Sequence, residues 1–186
     1  EKVKDYTDIN QYKSLSQLFD VVDPFIEKNV SELERLLLRF VDIKKAEIPY
    51  KDRKYTIYVP THLNASEIFG NYANWCTASP NNGMFKSYTD RLRPDNKKSK
   101  LFIVINNKFF TEESKEIYQI HFESDQLKDR HNNSNHDFVE SVLLENEGML
   151  KFFNDYLMSM SKIEGTGFES KYLRYLIKFG GIEHLF

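Results

Sequence analysis

An α+β fold follows from three observations on the sequence: apolar residues recur at helical spacing in its opening third, alternate or run unbroken through its middle, and return to helical spacing towards its end. The sequence predicts a central, mainly antiparallel sheet of about four strands flanked by N-terminal and C-terminal helices. It reads as a single α+β domain over 1–186, with a helical part at 1–45, a sheet core at 46–130 and C-terminal helices at 136–180. The 186 residues suit one domain, and 15 Phe with 11 Tyr supply ample volume for a core.

Each element has a local cause. From Asp8 to Ile26, the residues Ile9, Tyr12, Leu15, Leu18, Phe19, Val22, Phe25 and Ile26 share one helical face, which Pro24 ends or kinks. Ser31 with Glu34 three positions later is a capping box, opening a second helix with Leu33, Leu36, Leu37, Phe40 and Val41 inward. Lys54 to Val59 is β-branched and aromatic and closes on Pro60, as a strand does. Asn64 to Phe69 predicts a short helix capped by Asn64 and stopped by Gly70; Asn74 to Ala78 reads as a short extended piece, and Asn81 to Tyr88 as a helical turn. Thr89 to Lys100 is polar, contains Pro94, and is expected as an exposed loop. Leu101 to Ile105 is apolar throughout, the pattern of a strand covered on both faces. Lys108 to Thr111 is expected to pair with it and Glu116 to Phe122 to follow, forming a meander. Beyond a polar loop from Glu123 to Asn135, helical spacing resumes from His136 to Met160 with a break near Gly148, and a last helix runs from Phe168 to Phe179.

Composition excludes several classes. The net charge of −2 lacks the strong positive field of a dedicated nucleic-acid binder, although a local basic patch remains compatible with it. One cysteine forms no internal disulfide and suits a reducing compartment. No apolar run reaches the roughly 18–20 residues of a membrane span and no signal peptide is visible, so the sequence predicts a soluble protein with no membrane partner. Opening on Glu1 rather than Met, the chain reads as a processed protein or a segment of a longer one. There is no phosphate-cradling Gly-rich loop, GxSxG elbow or Rossmann fingerprint, and no cofactor is predicted.

Three constellations carry chemistry. Trp75-Cys76-Thr77 holds the sole Trp and the sole Cys. With Cys76 as nucleophile, His121 is the natural base and Asp125 or Asp129 the orienter; the bland alternative packs Cys76 as a small hydrophobe beside Trp75. The segment from His121 to Asp137 gathers His121, His131 and His136 with Glu123, Asp125, Asp129 and Asp137, but the spacings match no helical zinc pattern and no calcium loop, so no metal is predicted. Arg91, Arg93, Lys97, Lys98 and Lys100, with Phe85 and Tyr88 upstream, form a basic stretch able to contact phosphate beside an aromatic that stacks on a base. The candidate binding residues are therefore Trp75, Tyr88, Arg91, Arg93, Lys97 and Lys98.

The ordered set Tyr55-Thr56-Ile57-Tyr58-Val59-Pro60, Asn64-Ala65-Ser66, Gly70, Trp75-Cys76-Thr77-Ala78, Phe85, Tyr88, Leu101 to Ile105 and Tyr118-Gln119-Ile120-His121-Phe122 resembles a group of largely uncharacterised proteins of tailed bacteriophages and large DNA viruses. It covers roughly residues 50–129. Ala73 stands where the group often has Thr, and the connection from Thr89 to Lys100 is longer than usual. The resemblance implies a viral origin, a shared fold and a place in the cytoplasm of an infected cell or in the virion; it brings no activity with it. Together with the Phe and Tyr content that interfaces favour, it gives the expectation of a non-catalytic module that recognises a host or viral protein. A Cys76/His121 hydrolase or transferase, and single-stranded nucleic-acid binding through 91–100, are the alternatives.

Overall fold

A computed structural model describes residues 31–161 apart from 82, 94–96, 112–113 and 136–137. The helices expected from Asp8 to Ile26 and from Phe168 to Phe179 lie outside the described residues. The elements are α1 (Glu32–Asp42), β1 (Ala46–Lys51), β2 (Tyr55–Pro60), α2 (Leu63–Glu67), α3 (Met84–Thr89), β3 (Phe102–Asn106), β4 (Ile117–His121), β5 (Gln126–Lys128) and α4 (Glu147–Ser161), with several single 3₁₀ turns between them. The five strands form one antiparallel sheet in chain order, β1-β2-β3-β4-β5. This is the α+β fold that the sequence predicts.

The sheet is a middle layer. On one face Ile57, Val59, Phe102, Val104 and Ile120 pack against Met149, Phe153 and Leu157 of α4 and against Phe138, Val142 and Leu143 ahead of it. On the other, Tyr58, Ile103, Ile105 and Ile117 meet Leu33 and Leu37 of α1 and Phe69, Ala73 and Trp75 of the irregular segment after α2. Every residue of β2, β3 and β4 is buried, which is why Leu101 to Ile105 is unbroken in its hydrophobicity. The edge strand β1 alternates between covered and exposed residues, and it carries Pro49 inside an irregularity between Glu47 and Tyr50. Proline removes a ladder donor, so an edge is where it is tolerated.

The serine cap at α1 forms as the sequence predicts, with Ser31 Oγ accepting from Glu34 N at 3.2 Å. Other expectations need correction. Asn74 to Ala78 is not extended: Cys76–Ala78 is a 3₁₀ turn in the layer over the sheet. Asn107–Thr111 is likewise a 3₁₀ turn, so β3 pairs directly with β4. The cap of α2 is His62, without a side-chain bond, rather than Asn64. The last strand, β5, sits inside the expected polar loop. Ahead of α4, Val139–Leu143 is a π-helical turn, and the break expected near Gly148 falls at residues 144–146. Gly148 has a reason of its own: a Cβ there would lie 2.7 Å from the Tyr50 hydroxyl.

Candidate functional site

His121 ends β4 on the same face as Gln119, because side chains two apart in a strand point the same way. The Trp75-Cys76-Thr77 turn lies over this face and is tied down twice. Thr77 Oγ1 donates to Gln119 Oε1, both residues being buried. The Trp75 indole donates to the carbonyl of Asp129 at 2.6 Å, while Asn74 N donates to Arg130 O at 2.8 Å. Gly70 permits the close approach beneath, since a Cβ would stand 3.1 Å from the carbonyl of Ala78. The tryptophan turn and the histidine strand thus belong to one unit, the turn covering the sheet rather than joining it.

Tyr88, from α3, neighbours both Cys76 and His121. Its ring meets the imidazole edge-on at 4.8 Å between centroids, and its hydroxyl donates to Gln126 Oε1 at 2.7 Å. Burial pushes the Tyr88 phenol up, and the neighbouring Cys76 adds to that. His121 is fully buried, and its Nε2 stands 3.2 Å from the carbonyl of Tyr88. A carbonyl only accepts, so Nε2 carries the proton and Nδ1 keeps a bare lone pair, which finds no hydrogen-bond partner among the described residues. Burial pulls the His121 pKa down to about 4, against the opposing bond to Tyr88 and with the Arg91 cation assisting. The imidazole is therefore neutral near neutrality.

The structure gathers Cys76, Tyr88 and His121 but draws no hydrogen bond from Cys76, which is half-buried, to His121. The hydrogen bond of the imidazole goes to the Tyr88 carbonyl, and the two proposed orienters lie in the turns that follow β4 and β5. Asp125 sits in the left-handed region, φ 52°, in the turn from β4 to β5. Asp129 spends one carboxylate oxygen on the backbone N–H groups of His131 and Asn133, both at 2.9 Å. The acid beside His121 is Glu123, whose Oε2 is 3.5 Å from Nε2. Its position two residues after the histidine was visible in the sequence, but the 3₁₀ turn at Phe122–Ser124 that aims it was not. Burial raises the Glu123 carboxyl, although its own backbone and the Tyr156, Arg93 and Ser99 side chains work against the rise.

Most described residues of the basic stretch are exposed, as expected, but two of them turn inward. Leu92 and Lys98 form an antiparallel bridge, and Arg93 and Ser99 are buried. The Arg93 guanidinium lies over the Tyr156 ring at 4.6 Å and donates to Ser159 Oγ at 3.2 Å, both on α4. Arg91 donates to Ser124 Oγ at 2.6 Å, and Lys98 pairs with Asp90 at 2.7 Å. Lys97 is exposed. Of the cations of 91–98, Arg93 is thus directed into the protein's own framework, while Arg91, Lys97 and Lys98 stay at the surface. Among the described residues no cluster of three or more His, Cys, Asp or Glu is placed to hold a metal ion.

A cleft of about 550 Å³ opens on the other side of this loop. Its apolar lining is Val59, Pro60, Leu63 and Phe85; around it stand His62, Lys86, Lys98 and Lys100, the last paired with Glu47 at 2.7 Å. The turn after β2, α3 and the lead into β3 build it. A second, more open hollow of about 630 Å³ exposes Cys76 beside Glu67, Asn71 and Asn74.

The chain is thus an α+β protein built on a five-stranded antiparallel meander with covering layers on both faces. No family model, curated protein or solved structure matches it. No helix among the described residues is long and apolar enough to cross a membrane.

Proposed function

We propose that this chain is a non-catalytic recognition module of phage or large-virus origin, which binds a host or virion protein through the cleft beside α3. The observation that carries the reading is that cleft itself: an apolar strip of Pro60, Leu63 and Phe85 with lysines at its margin, the amphipathic mixture that protein interfaces use. Viral origin rests on the ordered motifs from Tyr55 to Phe122. The hydrolase alternative draws on the proximity of Cys76, Tyr88 and His121, but His121 is sealed from solvent and its N–H is committed to the Tyr88 carbonyl. The nucleic-acid reading of 91–100 is weakened by the burial of Arg93 against α4 and by the bond that Arg91 makes to Ser124.

The test compares immobilised wild-type protein with a Leu63→Asp/Lys86→Glu variant of unchanged circular dichroism, each exposed to extract of the infected host. The reading expects a specific protein held by the wild type, lost from the cleft variant and retained by Cys76→Ser. Identical capture by wild type and cleft variant, or loss in Cys76→Ser alone, sinks it.

A further inference from the structure

Away from the cleft and from Cys76, two half-buried aromatic rings make a corner. Tyr72 follows the 3₁₀ turn Ile68–Asn71, and Phe109 lies in the 3₁₀ turn Asn107–Thr111. Their centroids are 5.8 Å apart and their planes 70° from parallel. The hollow they border holds about 320 Å³ and is completed by Asn71, Ser114, Lys115 and Arg130. That is near the lower end of ligand pockets, about 300–1,000 Å³, and suits one ring-bearing group rather than a longer ligand.

Its charge sets it apart. None of the six described lining residues carries a carboxylate, while Lys115 and Arg130 carry two cations. Neither of these side chains makes an ion pair or a hydrogen bond with any described residue, so both remain available to an anion bound in the hollow. The walls are held in place beforehand. Asn74 N fixes the carbonyl of Arg130 at 2.8 Å, the Trp75 indole fixes that of Asp129, and Tyr72 N donates to Phe69 O at 2.9 Å. Two uncommitted cations beside an aromatic corner match a flat ring that carries a phosphate: guanidinium and ammonium bind phosphate oxygens, and a nucleobase stacks on an aromatic face.

We infer that this corner is a binding site for a nucleoside 5′-monophosphate, with the base against Tyr72 and Phe109 and the phosphate between Arg130 and Lys115. The same group is found free or at the 5′-phosphorylated end of a single strand. Titration calorimetry of the full chain with adenosine 5′-monophosphate tests the site. Binding is expected, with adenosine and inorganic phosphate each at least about tenfold weaker, and with Arg130→Gln and Tyr72→Leu each weakening the nucleotide about tenfold. Lys115→Gln, on an exposed side chain, should weaken it with the fold intact and reduce its salt dependence. A 5′-phosphorylated tetranucleotide that binds tighter than the mononucleotide assigns the site to strand ends; equal or weaker binding assigns it to the free nucleotide. The inference is overturned if the mononucleotide does not bind, if phosphate or phosphotyrosine binds as well, or if Arg130→Gln and Lys115→Gln both leave the affinity unchanged.

Discussion

Both ends of α4 are tied to the rest of the protein by a tyrosine hydroxyl and a carboxylate, and the two ties resolve the conflict between burial and hydrogen bonding in opposite senses. At the N-terminal end the Tyr50 hydroxyl lies 2.6 Å from Asp52 Oδ2 and 3.0 Å from Asn146 Oδ1. Asn146 donates to Asp52 Oδ2 at 2.7 Å and accepts from Met149 N at 2.9 Å, while Lys54 N and Tyr55 N donate to Asp52 Oδ1 at 2.7 and 2.6 Å. Burial alone would raise the Asp52 carboxyl, but these four donors together hold it below its ordinary value. At the C-terminal end Tyr156 donates to Glu123 Oε1 at 3.1 Å, Arg93 lies over the Tyr156 ring, and His121 stands beside Glu123. Here burial prevails, so Glu123 is raised and His121 lowered, each towards its neutral form. With a similar number of stabilising partners at each end, the charge is kept at Asp52, where burial is shallow, and given up at Glu123, whose side chain is 7% exposed.

The largest effect should come from dismantling the well-bonded end. Asp52→Ala strands four donors and loosens the cap of α4, and we expect a loss of about 3 kcal/mol in urea denaturation at neutral pH. Because the folded carboxyl titrates below the unfolded one, its contribution is complete above the unfolded value and disappears as pH falls through the folded value. Asp52→Asn should therefore lose that acid-dependent part of the stability; an unchanged acid limb would show that the donors do not act on Asp52.

The second effect comes from His121. Its folded pKa of about 4 lies below that of an unfolded histidine, about 6.5, so between these values the unfolded chain binds the extra proton and stability falls as the pH falls. The drop should amount to about 2–3 kcal/mol across the window and be absent above it. Glu123 opposes it, because a raised carboxyl takes up its proton in the folded protein first. Stability measured from pH 4 to 7 should flatten in His121→Gln and steepen in Glu123→Gln. The reverse pair of outcomes would mean that burial does not govern this end.

The smallest effect probes burial without bonding. The Tyr58 hydroxyl is fully buried with no hydrogen-bond partner among the described residues, and burial pushes its phenol far up. Tyr58→Phe should change stability by no more than about 0.5 kcal/mol, or raise it, whereas Tyr50→Phe should cost about 1–2 kcal/mol. A large loss in Tyr58→Phe would reveal a partner for that hydroxyl.

How much of this was legible follows from the range of the interactions involved. The cap at Ser31 and the doubly covered strand Leu101 to Ile105 rest on neighbours a few residues away or on a strand's two faces, and each formed as the sequence indicates. The turn at Cys76–Ala78 did not read as one, because Thr77 is held by Gln119 and Trp75 by Asp129, 42 and 54 residues away. Arg93 read as a solvated cation because nothing near it announces Tyr156 and Ser159, which cover it from α4. The corner at Tyr72, Phe109, Lys115 and Arg130 draws its parts from three separate connections and has no sequence signature.

By itself, the sequence determined the α+β class and the existence of β2, β3 and β4, since periodicity and capping are local and the hydrophobic pattern must match the period of the element that buries it. Only the tertiary structure decided which polar groups meet. That choice depends on bringing together side chains tens of residues apart, and the balance between lost hydration and gained hydrogen bonds is struck only once they are there.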